Sequence, residues 1–178
     1  MNGSVAKRYA KAVFSLALER ELLASVAQDL ASIAELLAES EDFGGFFTDP
    51  TIEPVDRHAG IDALLKGKAN DLTLQFLHFL VDKTRIVALP EICAAFDAMH
   101  DDHMGIQKVR VVSARPLADE QVTTLKERLS KRFERSIAAT LEIDEDLIAG
   151  FIVIAGDLVL DYSIKTQLAG VRQRIINS

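Results

Sequence analysis

The chain has 178 residues, 49% of them apolar and only 6% aromatic, with no Trp, a single Cys and a formal charge of -7. That length supplies material for one ordinary core or two small ones, and the shortage of aromatics beside plentiful Ala and Leu favours helices over a sandwich or barrel. The lone Cys93 excludes an internal disulfide, and no apolar run approaches the roughly 20 residues of a membrane span, so direct membrane insertion is excluded too.

The elements follow in chain order. The Met1–Lys11 start has no signal-peptide core and passes at once into helical periodicity, which reads as a mature start. Ser4 is the expected N-cap of a first helix to about Leu18, and a second spans about Glu21 to Ala38 on Leu, Val and Ile at three-and-four spacing. A short glycine-interrupted helix follows Ser40, closed by Asp49-Pro50 and Pro54. A fourth runs from about Val55 to Leu65 and ends on Lys66-Gly67-Lys68; a fifth runs from about Asn70 to Thr84. Pro90 suits the first turn of a sixth, ending near His103.

The pattern changes after Met104-Gly105. Lys108–Ser113 is β-branched and partly alternating, so a strand is expected there and a domain boundary between residues 105 and 106. Arg115-Pro116 opens a helix to about Phe133, then strands are expected at 137–143 and 151–154. Ala155-Gly156-Asp157 turns the chain back into a partner strand at 158–160. Ser163 caps a last helix with Leu168, Val171 and Ile175 on one stripe. The expected fold is mostly α: a six-helix bundle over 1–105, then a small α+β domain over 106–178 in the order β-α-β-β-β-α.

Charge divides at the same place. Residues 1–105 carry 9 Lys/Arg against 17 Asp/Glu, and residues 106–178 carry 11 against 10. Lys126, Arg128, Lys131, Arg132 and Arg135 are the densest cations, but Glu127 and Glu134 interleave them as on a solvated helix face. A nucleic-acid surface is not expected.

Candidate chemistry is sparse. His100 and His103 sit at i and i+3 on an acidic helix end without a third ligand, and His78 falls in a polar wedge where exposure is expected. The acidic knot Glu142, Asp144, Glu145, Asp146 lacks the spacing of a calcium loop, Gly150 and Gly156 bracket a strand rather than a phosphate loop, and Cys93 lies in a helical pattern as core filler. Neither a catalytic residue, a metal site nor a cofactor is assigned.

Two helices carry more apolar face than a bundle needs. On the first, Val5, Tyr9, Ala12, Leu16 and their neighbours fill about 200° of arc; on the fifth, the apolar residues from Leu72 to Val81 fill about 220°. Either both helices are central and packed on two sides, or they lie side by side and leave a groove for an amphipathic partner helix. The groove candidates are Arg8, Tyr9, Ala12 and Leu16 on the first helix, with Phe76 and Phe79 on the fifth.

Three stretches carry a resemblance. Leu147–Leu168, read as LIAGFIVIAGDLVLDYSIKTQL, closely resembles the signature of the F-type ATP synthase delta subunit family, whose mitochondrial counterpart is the oligomycin-sensitivity-conferring protein. Ala6–Phe14 (AKRYAKAVF) looks like the family's opening helix, and Phe76–Ile86 with Leu89-Pro90 looks like its fifth. Ala149, Ile154 and Tyr162 depart from it, standing where glycine, a charged residue and glycine are usual. The resemblance implies a non-catalytic stator subunit of a proton-translocating ATP synthase, peripheral on the cytoplasmic side of the cell inner membrane, with no cofactor. It implies that the front domain holds the N-terminal helix of an alpha subunit and the rear domain the ends of the peripheral-stalk b subunits. Leu168, Val171, Arg172 and Ile175 are the candidate stalk-side residues. The alternative function is a free-standing adaptor for another amphipathic helix.

Overall fold

A computed structural model describes residues 3–49, 51–144, 147 and 149–164. The chain forms two compact units, Met1–His100 and Asp101–Ser178, each taken by itself below.

The first unit is helical. Helix α1 (Gly3–Glu19) buries Ala6, Ala10, Val13 and Ala17, a stripe at i, i+4, i+7 and i+11 whose small side chains let neighbours approach closely. Ser4 lies inside its first turn rather than at its cap. The chain leaves α1 through Glu21, which holds a left-handed φ of 58° while Leu22 N–H donates to the Ala17 carbonyl (2.8 Å) and Glu21 N–H to that of Leu18 (3.2 Å). This is a Schellman ending with Glu where Gly is usual. It delays α2 (Leu23–Glu39) two residues beyond the expected start.

Helix α3 (Glu41–Thr48) begins on Ser40, whose Oγ accepts from Phe43 N–H at 3.2 Å. Helix α4 (Pro54–Leu65) has proline in its first turn, where the missing N–H costs nothing. Helix α5 (Asp71–Asp82) is capped by Asn70, whose Oδ1 accepts from Leu72 N–H at 2.9 Å. It ends two residues short of the expected Thr84 in another Schellman ending, with Thr84 at φ 54° and Arg85 N–H on the Leu80 carbonyl at 2.8 Å. A 3₁₀ turn at Ile86–Ala88 leads into α6 (Leu89–Met104), with Pro90 in its first turn as expected.

The core of this unit is built from Val13, Leu30, Ile33, Leu77, Leu80, Ile92 and Phe96, with Phe14 meeting Phe96 edge to face at 5.6 Å. Each such aliphatic side chain contributes about 1.5–3 kcal/mol by leaving water. Asp29 on α2 ties the start of α5 to that core: its Oδ2 accepts from Asn70 N–H at 2.8 Å and from the Thr73 hydroxyl at 2.7 Å.

The second unit is a four-stranded sheet of order β2-β1-β3-β4. Strands β1 (Ile106–Ser113) and β2 (Ser136–Ile143) are parallel and are joined by helix α7 (Asp119–Phe133), while β3 (Phe151–Ala155) runs antiparallel to both β1 and β4 (Leu158–Asp161). Val109, Val111, Val153 and Ala155 pack with Leu129 of α7 in its core. The helix starts at Asp119, later than expected, because Ala118 is still extended; Gln121 Oε1 accepts from Ala118 N–H there at 3.0 Å. Ala155 pairs with Leu158, so the turn between β3 and β4 is only Gly156-Asp157, with Gly156 at φ 58° in the first turn position. Before β3, Gly150 has φ 97° and sits against the chain that leaves β4. The last expected helix lies outside the described residues beyond Ile164.

Candidate partner-helix surface

Helix α1 divides its wide apolar arc between two jobs. Its alanine stripe is buried, while the neighbouring Val5, Tyr9, Ala12 and Leu16 are half-buried or exposed, Leu16 at 41%. Helix α5 divides less evenly: Leu72, Leu77, Leu80 and Val81 are core, and Phe76 joins them at 8% exposure. Phe79 faces water at 44%.

Tyr9 and Phe79 meet, with ring centroids 6.1 Å apart and planes at 64°. An edge-to-face pair of this kind contributes about 0.5–1.5 kcal/mol beyond its burial. It brings the exposed edges of α1 and α5 together. Each ring also carries a cation: the Arg8 guanidinium lies 5.6 Å from the Tyr9 centroid and Lys83 Nζ 5.7 Å from that of Phe79. Lys7 and Lys11 are exposed on the same helix, and its acidic residue, Glu19, comes only at the far end. The result is an aromatic strip with a basic rim. Of the groove candidates, Arg8, Tyr9, Ala12, Leu16 and Phe79 reach this surface and Phe76 stands behind it.

Other features were not visible in the sequence. An apolar cleft of about 330 Å³ between α2 and α6 is lined by Ala27, Ala31, Ala34, Pro90 and Cys93. Cys93, expected as core filler, is 3% exposed, and burial pushes its thiol up to about 12, which suits core packing and disfavours a nucleophilic thiolate. Arg57 on α4 is buried and donates from Nη2 to the Asp49 carbonyl at 2.5 Å. The Asp49 carboxylate accepts from the Thr51 hydroxyl and N–H at 2.7 and 2.8 Å, and these bonds, then Arg57, hold it below its usual range.

His78 is not exposed as expected. It is half-buried because His58 of α4 meets it Nδ1 to Nδ1, and its Nε2 donates to Asp62 at 2.9 Å. Within the polar wedge of α5, His78 and Asp82 meet α4, while Asp71 and Gln75 are exposed. Among the described residues, no group of three or more His, Cys, Asp or Glu is placed to hold a metal ion, and no helix is long and apolar enough to cross a membrane.

In the second unit, apolar residues are exposed on both sheet edges: Leu141 and Ile143 on β2, Leu158 and Val159 on β4. The stalk-side candidates Leu168, Val171, Arg172 and Ile175 lie outside the described residues.

Comparison with known proteins places this geometry. Residues 5–175 match the family model described as "ATP synthase delta (OSCP) subunit". The ATP synthase subunit delta of Symbiobacterium thermophilum is 33% identical over 178 residues, covering 100% of this chain and 96% of that one. That of Beijerinckia indica subsp. indica is 36% identical over 173 residues, covering 96% and 91%. Among solved structures, a chain of the Toxoplasma gondii mitochondrial ATP synthase hexamer superimposes with a TM-score of 0.75 at 25% identity, covering 96% of this chain and 97% of that one. The chain belongs to the ATP synthase delta (OSCP) subunit family, a structural and not a catalytic subunit of that enzyme.

Proposed function

We propose that this chain is a stator subunit of a proton-translocating F-type ATP synthase, linking the catalytic head to the peripheral stalk and resisting rotor torque. In this reading the α1–α5 surface holds the N-terminal helix of an alpha subunit, and the second unit holds the ends of the b subunits. The complex sits at the cell inner membrane with this subunit on the cytoplasmic side, attached through its partners. Family membership supports the assembly, and the exposed Tyr9–Phe79 pair supports the docking surface.

The physical demand is for two tight interfaces and no chemistry. A helix laid along α1 and α5 would cover Tyr9, Ala12, Leu16 and Phe79, with small Ala12 allowing close approach. Arg8 and Lys83 flank the two rings, so the partner helix should carry Asp or Glu beside its apolar stripe. The exposed apolar residues on both sheet edges of the second unit support a further protein contact there.

The experiment is reconstitution. Synthase heads stripped of their own delta subunit should retain this chain stoichiometrically and recouple ATP hydrolysis to proton transport when returned to membranes. Heads that fail to bind it would sink the stator reading.

A further inference from the structure

We propose that His58 and His78 share one proton between their Nδ1 atoms and form a pH-gated clamp between α4 and α5. The two rings are within 26° of parallel with centroids 4.6 Å apart, and the two Nδ1 atoms form the hydrogen-bonded contact between them. Each ring is anchored at its other nitrogen by a carboxylate of the opposite helix. His58 Nε2 on α4 meets Asp82 Oδ1 on α5 at 3.0 Å, and His78 Nε2 on α5 meets Asp62 Oδ1 on α4 at 2.9 Å.

The proton count follows from donor and acceptor rules. An ionised carboxylate only accepts, so each Nε2 carries its proton. A neutral ring protonated at Nε2 has a bare Nδ1. Two such rings would set lone pair against lone pair, and two imidazolium rings would set N–H against N–H. One proton on the pair supplies a donor and an acceptor and completes an Asp62–His78–His58–Asp82 chain. With two ionised carboxylates and one imidazolium, the four groups together carry a single negative charge.

Two neighbouring cations have other partners. On α4, Arg57 donates to the Asp49 carbonyl; after α5, Lys83 lies over the Phe79 ring. Asp62 and Asp82 are the charged groups bonded to the rings. The imidazole side chains are 29% and 26% exposed, open enough to exchange protons with solvent.

The α4–α5 contact is consequently strongest while the pair holds one proton. Acid adds a second, opposing like charges and two N–H groups; alkali removes the shared one. Titration of the pair belongs to both residues together. The clamp depends only on these two helices and stands or falls apart from the partner-helix reading, though it also fixes the rotation of the helix that presents Phe79.

The test is histidine ¹⁵N NMR on the full chain across pH. A ¹⁵N–¹⁵N coupling across the hydrogen bond is expected between the two Nδ1 atoms, together with two successive titration steps shared by both rings. His58→Gln and His78→Gln should each abolish the coupling and return the surviving ring to one step. The urea midpoint of the wild type relative to a His58→Phe/His78→Phe variant should peak in the one-proton window and fall on both sides. Independent single-step titrations without coupling, or a stability difference that does not change with pH, would overturn the proposal.

Discussion

Tyr9 of α1 and Phe79 of α5 meet edge to face at 6.1 Å while Phe79 stays 44% exposed, so the contact that joins the two helices also lies on the outer surface. A pair serving the core alone would be covered. Arg8 and Lys83 flank it with positive charge, and the predictions below concern what holds this surface in place and what it binds.

Asp29 fixes the start of α5. Replacing it with Ala strands the Asn70 N–H and the fully buried Thr73 hydroxyl, and should cost about 1–3 kcal/mol in urea unfolding. Asp29→Asn keeps an accepting oxygen and should lose less.

Gly150 serves the second unit. Its φ of 97° disfavours any side chain, and a Cβ there would lie 2.5 Å from the Tyr162 carbonyl oxygen and 2.8 Å from Ser163 Cα, both backbone atoms that cannot swing aside. Gly150→Ala should destabilise by about 2 kcal/mol or more, raising amide exchange in β3 and β4 roughly 30-fold. Exchange at Leu77 and Leu80 in the first unit should not change.

Cys93 gives a pH dependence with a definite sign. Its thiol is raised from 9.0 to about 12 by burial, so the folded chain keeps the proton after the unfolded chain has lost it. Its contribution is complete below pH 9 and is lost as pH rises toward 12. The stability advantage of wild type over Cys93→Ala should shrink across that interval. At pH 8, alkylation of Cys93 should proceed only as fast as the chain opens.

Much of the fold was legible because its signals are local. The three-and-four spacing marked the helices of the first unit, and the β-branched run at 108–113 marked the change to a sheet. Helix ends were harder: Glu21 and Thr84 take left-handed backbone that sequence rules reserve for glycine, so α2 was expected to start and α5 to end inside those turns. Tyr162, where the resemblance leads one to expect glycine, is not in that region, and its ring centroid lies 5.2 Å from that of Phe151.

The surface was legible only in part. Periodicity placed Phe76 and Phe79 on one arc, but separating core from surface requires knowing where α1 lies. The histidine pair was invisible because 20 residues separate its members, and α5's polar wedge reads as solvent-facing until α4 supplies His58 and Asp62.

The most direct measurement is calorimetric titration of an alpha-subunit N-terminal segment into the full chain, wild type and Phe79→Asp, with circular dichroism on both. Wild type should bind one segment, and Phe79→Asp should bind at least about 30-fold more weakly, a loss of about 2 kcal/mol, with an unchanged helical spectrum. Equal affinity in a folded Phe79→Asp variant, or no binding by the wild type, would contradict the α1–α5 surface as the docking site.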